Sequence, residues 1–192
     1  MRTFLFLLAS ARPDGNTEAL ARHAAAGLPA GTPQRWLNLT EFPLPAFEDI
    51  RHVPGVRYGE PSGNERVLLD ATMAASDLVV ASPLYWYSVS AAAKLYLDHW
   101  TYWLHNPQLD FKARMRDKTL WGISAISEED PAKADPLIGT LRLTAEYLGM
   151  RWGGALLGYG NRPGQVCDDA DALARAPAFF ASSVAEVAPQ TA

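Results

Sequence analysis

The run Thr3-Phe4-Leu5-Phe6-Leu7-Leu8-Ala9, followed at once by Ser10-Ala11-Arg12-Pro13-Asp14-Gly15-Asn16-Thr17, decides the fold class. Its unbroken apolar stretch leaves no polar face, as expected of a strand buried on both sides of a parallel sheet. With Ala9-Ser10-Ala11 behind it, the run has the outline of a secretory leader, but it is shorter than the ~7–15 apolar residues such a core needs. A turn and an amphipathic segment come next, so the run reads as a first strand over 3–9. Asn16 is placed to cap the helix that follows, with Ala19, Leu20, His23, Ala24 and Gly27 along one side. Gly27, Pro29, Gly31 and Pro33 stop it.

Working outward, the same alternation repeats to the end of the chain. A weaker strand over 34–39 is followed by a helix from about 64, carrying Val67, Leu68, Ala71, Ala74 and Ala75. Asp-Leu-Val-Val-Ala over 77–81 is a third strand. The helix over 90–104 puts Ala92, Leu95, Tyr96, His99, Trp100 and Trp103 on one stripe. A fourth strand covers 118–124, and Asp135-Pro136 supplies a cap and first-turn pair for a helix reaching 149. A fifth strand covers 152–159, and Asp168 or Asp171 opens a last helix. Strands that alternate with helices predict an α/β fold: a doubly wound, five-stranded parallel sheet in one domain over 1–192. The stretch 42–63 is crowded with Pro and Gly and has no periodicity, so it reads as a lid, a binding rim or mobile surface. The tail after about 186 is expected to fray.

Composition narrows the function. The chain has 192 residues, 48% of them hydrophobic and 20% charged, with a net charge of -4, which argues against a nucleic-acid partner. The lone cysteine, Cys167, excludes an intrachain disulfide and a cysteine-based zinc site, and it suits a cytoplasmic protein. His23, His52, His99 and His105 lack metal-ligand spacing, so no metal is expected. No stretch approaches the ~18 apolar residues of a membrane span.

Open parallel sheets bind ligands at the carboxyl ends of their strands. After the first strand, Ser10 and Thr17 offer hydroxyls, Gly15 permits close approach, and a helix N-terminus presents free N–H groups to an anion. The loop lacks the lysine of a triphosphatase cradle. A plain capped turn is the alternative. After the third strand comes Ser82-Pro83-Leu84-Tyr85-Trp86-Tyr87-Ser88-Val89-Ser90. Its three consecutive aromatics suit a flat aromatic ligand, or else cap the core or fill a subunit contact.

Taken together, Ser10-x-Arg12-x-x-Gly15-Asn16-Thr17 and Ser82-Pro83-Leu84-Tyr85-Trp86-Tyr87-Ser88-Val89, with Lys94 and Leu97-Asp98 beyond, resemble the flavodoxin-like NAD(P)H-dependent oxidoreductases. That family includes NAD(P)H:quinone oxidoreductases and FMN reductases. The resemblance implies a flavodoxin-like strand order 2-1-3-4-5, FMN as cofactor and NAD(P)H as co-substrate. It implies that Ser10, Arg12, Asn16 and Thr17 hold the FMN phosphate while Pro83, Leu84, Tyr85, Trp86 and Tyr87 line the ring. Two departures stand out. Ser90 replaces a common proline, and the turn after the fourth strand reads Ser124-Ala125-Ile126-Ser127-Glu128-Glu129-Asp130 where relatives are rich in Thr and Gly. Ser124 and Ser127 are expected at the pyrimidine edge, with the three acids as a solvated rim.

The remaining signals read as scaffold. Gly158-x-Gly160-x-x-x-Gly164 reads as a turn, and Lys112, Arg114, Arg116 and Lys118 read as a solvated basic face, with an NADPH phosphate contact as the alternative. No G-x-S-x-G nucleophile motif occurs. Hydride transfer needs no acid or base, so the only catalytic candidates are Tyr85 and His105, as proton donors to an acceptor. Tyr96, Trp100 and Trp103 exceed what one face of a small core needs, and a homodimer is expected through them. The expected activity is hydride transfer from NAD(P)H through FMN to a quinone or similar acceptor by ping-pong kinetics. An electron-carrier flavodoxin and a flavin-free binding subunit are the alternatives; carriers are typically smaller and more acidic.

Overall fold

A computed structural model of the chain describes residues 1–181. The expected frayed tail after 186 lies outside the described residues. Five strands form one parallel sheet in the order β2-β1-β3-β4-β5: β1 Phe4–Leu8, β2 Gln34–Asn38, β3 Asp77–Ala81, β4 Thr119–Ile126 and β5 Arg151–Tyr159. The helices are α1 Asn16–Ala26, α2 Gly63–Ala74, α3 Ala91–Leu104, α4 Phe111–Met115, α5 Asp135–Tyr147 and α6 Ala170–Arg175. This is the fold class and strand order expected. Short 3-10 turns at Pro131–Ala134, Gln165–Asp168 and Ala176–Ala181, and the five-residue α4, carry too little periodicity to be read in advance.

Strand alternation sorts the apolar side chains into two cores. Leu5 and Leu7 join Leu78, Val80 and Leu120 beneath α2, α3 and α5. Phe4, Phe6 and Leu8 join Val79, Trp121 and Ile123 beneath α1 and α6. In the first core, Tyr96, Trp100 and Trp103 are almost fully buried, and Phe111 of α4 packs edge-on against both tryptophans. The aromatic stripe of α3 is therefore this chain's own core and offers no surface to a second copy.

Polar side chains close the amino end of the sheet. Buried Asp77 accepts from Arg2 Nε at 3.1 Å, from Trp121 Nε1 at 2.9 Å and from Ser76 Oγ at 2.8 Å. Lys118, read as part of a solvated face, is instead buried, and its Nζ donates to the Met73 and Ala75 carbonyls at the end of α2. Those carbonyls have no partner within the helix, and a cation there suits the helix dipole. Burial pushes the Lys118 ammonium down from its ordinary pKa, and the Arg114 charge adds to that. Lys112, Arg114 and Arg116 do face solvent.

Residues 42–62 carry no regular structure, yet they are strapped to α3 by named contacts. His99 sits under Pro45 with its Nε2 3.0 Å from that carbonyl, and its Nδ1 lies 3.2 Å from Glu65 Oε1. The Tyr102 hydroxyl meets both the backbone N–H and the carbonyl of Glu48, and Asn64 donates to the Pro43 carbonyl. Tyr58 packs on Tyr102 with ring centroids 4.3 Å apart. A periodicity reading misses this because the order comes from side chains of α2 and α3.

Candidate functional site

At the carboxyl ends of β1, β3 and β4 lies a cleft of about 160 Å³. It is lined by Ser10, Arg12, Gly15, Asn16, Thr17, Pro83, Leu84, Tyr85, Ala125, Ser127, Gly160 and Asn161. Arg12 is the one cation of this lining, which has no carboxylate.

The β1–α1 turn is shaped to leave donors free. The Ser10 Oγ accepts from the Arg12 N–H at 3.1 Å, and Asp14 takes a left-handed conformation at φ 50°. Gly15 precedes the helix and offers no side-chain cap, so the first-turn N–H groups remain for a ligand or solvent. A Cβ on Gly15 would stand 3.2 Å from Ser10 Oγ and crowd the turn. Thr17 is 3% exposed, and its Oγ1 accepts from the Ala125 N–H at 3.2 Å. Each hydroxyl oxygen thus receives a backbone hydrogen while its own hydrogen stays available. Hydroxyls, helix N–H groups and Arg12 together form a donor set that fits a phosphate dianion.

Asn16 behaves differently from the expectation. It is the first residue of α1 rather than its cap, and its amide is partly committed: one Nδ2 hydrogen goes to the Arg162 carbonyl at 2.9 Å and Oδ1 accepts from the Val166 N–H at 3.4 Å. It joins the cleft as the clamp that holds the turn after β5 against α1. The buried stripe of α1 is rotated accordingly to Thr17, Leu20, Ala21, Ala24 and Ala25, with His23 facing solvent.

The second wall is the turn after β3. Ser82 is fully buried; its Oγ donates to the Pro83 carbonyl at 3.0 Å and accepts from the Ser90 N–H at 2.8 Å. Ser90 then caps α3 by accepting from the Ala93 N–H at 3.2 Å, a role that makes the departure from proline harmless to the helix start. Between these anchors, Tyr85 and Ser88 exchange two backbone hydrogen bonds of 3.1 Å each. Trp86 and Tyr87 occupy the tip of this tight turn with φ values of 50° and 63°. Two consecutive positive φ values make a type I′ turn, which normally selects Asn-Gly. Holding two aromatics there costs about 1–2 kcal/mol per residue. In this turn Trp86 is 94% exposed and Tyr85 and Tyr87 are about half exposed, and of the three Tyr85 lines the cleft. Trp86 and Tyr87 are outside its lining.

Three other expectations are revised. Ser124 is buried, and its Oγ has no hydrogen-bond partner among the described residues. Strand alternation puts it with Leu120 and with Gly122, whose surroundings are Leu141 and Trp152, so it faces the α5 side while Ala125 and Ser127 line the cleft. His105 is also elsewhere: its Nδ1 meets the Thr101 carbonyl at 2.8 Å and it lines a separate cavity of about 580 Å³ with Arg51, Arg57, Tyr58 and Glu60. Tyr85 alone of the two proton-donor candidates is at the cleft. Conversely, Gly160 and Asn161, read as turn only, form its third wall. The signal that existed was Gly160 itself, since a Cβ there would lie 2.8 Å from both Asn16 Nδ2 and the Val166 nitrogen. Glu128, Glu129 and Asp130 are exposed and outside the lining, and Asp130 caps the 3-10 turn that follows. Among the described residues no cluster of potential metal ligands occurs, and no helix is long and apolar enough to cross a membrane.

This geometry has relatives. YwqN of Bacillus subtilis (strain 168), which carries the name of an NAD(P)H-dependent FMN-containing oxidoreductase, is 31% identical over 166 residues, 86% of this chain and 89% of YwqN. The structure of the Trp repressor binding protein from Bacillus subtilis superposes with a TM-score of 0.74 at 25% identity, covering 93% of this chain and 97% of that one. An FMN-dependent NADH-azoreductase from Bacillus anthracis str. Ames Ancestor, solved in complex with FMN, shares the fold at a TM-score of 0.65 and 13% identity, covering 94% and 98% of the two chains. The flavodoxin-like fold family matches residues 2–178, nearly the whole chain, and to that family this protein belongs.

Proposed function

We propose that the protein is an FMN-dependent oxidoreductase that passes hydride equivalents from NAD(P)H to a quinone or similar small acceptor. The observation that carries this reading is the cleft itself: free hydroxyls, uncapped helix N–H groups and Arg12 on one wall, with Pro83, Leu84 and Tyr85 on the other. Bound FMN would accept a hydride at N5 and pass the electrons on, so the chain's tasks are to bind, orient and shield. Ser10, Arg12, Thr17 and the first turn of α1 hold the phosphate. At about 160 Å³ the cleft is below the ~300 Å³ of a typical ligand pocket, so the phosphate end fits inside and the ring extends along Pro83–Tyr87. Ser127 is positioned for a polar ring edge, and Tyr85 is the nearest hydroxyl to protonate an acceptor. YwqN's name supports the same chemistry.

A ring on so open a wall exposes one face, which nicotinamide and acceptor use in turn. Varying NAD(P)H at several quinone concentrations then gives parallel double-reciprocal lines; intersecting lines mean both bind together. Purified protein should show flavin absorption. A flavin-loaded protein that gives no NAD(P)H oxidation with any quinone, azo dye or free flavin is an electron carrier instead. The exposed Tyr85-Trp86-Tyr87 tip supports a homodimer that covers this mouth, since contiguous exposed aromatics mark contact surfaces. A monomeric mass in sedimentation at micromolar concentration removes that element. The exposed free Cys167 is compatible with a reducing cytoplasm.

A further inference from the structure

The turn after β5 is built more rigidly than a connection requires. Gln165 Oε1 accepts from the N–H groups of both Asn161 and Arg162 at 3.0 Å, and Asp169 Oδ2 accepts from the Tyr159 N–H at 2.7 Å. The Gly160 N–H donates to the Ile126 carbonyl at 2.8 Å, and Asn16 clamps the Arg162 carbonyl. Hydrogen bonds to the protein therefore use the backbone N–H groups of residues 159–162. What this turn still offers the cleft is the Asn161 side chain, which has no hydrogen-bond partner among the described residues. Its neighbour Gly160 abuts Asn16 in the first turn of α1, the turn that presents the free N–H groups.

We propose that the Asn161 side-chain amide is a further ligand of the FMN phosphate, adding an uncharged N–H donor to those of Ser10, Thr17 and the first turn of α1. The inference rests on the FMN reading above. A carboxamide brings donors without adding charge, and it completes an anion site whose single cation is Arg12. Asn161 is exposed and its side chain makes no hydrogen bond among the described residues, so its variants are expected to fold as the parent does.

The test compares FMN with riboflavin, which lacks the phosphate, by fluorescence titration of apo-protein. Asn161→Ala should weaken FMN about tenfold, and Asn161→Asp about a hundredfold because a carboxylate would face the dianion. Riboflavin affinity should not change in either variant. An unchanged ratio of FMN to riboflavin affinity overturns the proposal, as does an equal loss for both ligands, which would mean a structural role. A parent protein that binds neither flavin defeats the FMN reading itself, and this inference with it.

Discussion

Thr17 Oγ1 and the Ala125 N–H form a 3.2 Å hydrogen bond that joins the first turn of α1 to β4 across 108 residues of sequence. One side chain thus serves the fold and the anion site together. Thr17→Ala leaves a buried N–H unpaired and removes a donor, so stability should fall by about 1–3 kcal/mol and FMN affinity by about tenfold. Thr17→Ser should recover most of both. Urea unfolding and flavin titration of the two variants check this; full FMN affinity in Thr17→Ala would leave the hydroxyl with a structural role only.

The fully buried His99 has oxygen acceptors at both ring nitrogens, the Pro45 carbonyl and Glu65 Oε1. Burial pulls its pKa down, but the hydrogen bonds to Glu65 and Pro45, with the Glu65 and Asp98 charges, outweigh it and the folded value is raised. A raised folded value means the contribution to stability is complete below the unfolded pKa of 6.5 and is lost as pH rises through the folded pKa. As pH rises above the ordinary value of 6.5, the parent should therefore lose stability relative to His99→Gln. Glu65→Gln keeps the acceptor oxygen and removes the charge, so it should flatten the same curve. Unfolding midpoints across that range decide it; parallel curves for parent and His99→Gln would show that His99 does not gain a proton on folding.

Replacing Trp86-Tyr87 by Asn-Gly installs the pair that a type I′ turn prefers. Apo-protein stability should rise by about 1–2 kcal/mol, because the left-handed strain is relieved and the exposed Trp86 packs against little. Flavin affinity should fall in the same variant. A stability loss in thermal unfolding of the apo-protein would mean that the aromatics stabilise the turn.

Two glycine substitutions should have opposite signs. Gly160→Ala forces a Cβ to within 2.8 Å of Asn16 Nδ2 and the Val166 nitrogen, which should cost about 1–3 kcal/mol and weaken FMN as the third wall shifts. Gly139 lies inside α5 with open space around it, so Gly139→Ala should stabilise by about 0.5–1 kcal/mol. Denaturant titration of both variants provides the comparison, and a neutral Gly160→Ala would mean the β5 turn can move off α1.

Local chemistry made the architecture legible in advance. An uninterrupted apolar run, as in Phe4–Leu8 and in Leu78 to Ala81, fits a strand covered on both faces, and helical spacing with capping residues marks the segments between. The two turns bearing Ser10 to Thr17 and Pro83 to Tyr85 were legible for the same reason: each is a continuous stretch at a strand's carboxyl end. Which side chains those turns can use was decided by tertiary structure. Asn16 is occupied by a partner 146 residues away, Ser124 is turned from the cleft by the alternation of β4, and Gly160 and Asn161 arrive because α1 packs beside the end of β5. The α3 aromatics became core because α4, too short to be read, supplies Phe111 over them. Spacing along the chain reports forces that act over one or two turns of backbone. The direction in which a polar side chain is spent depends on which distant element crosses above it, and only the packed fold sets that.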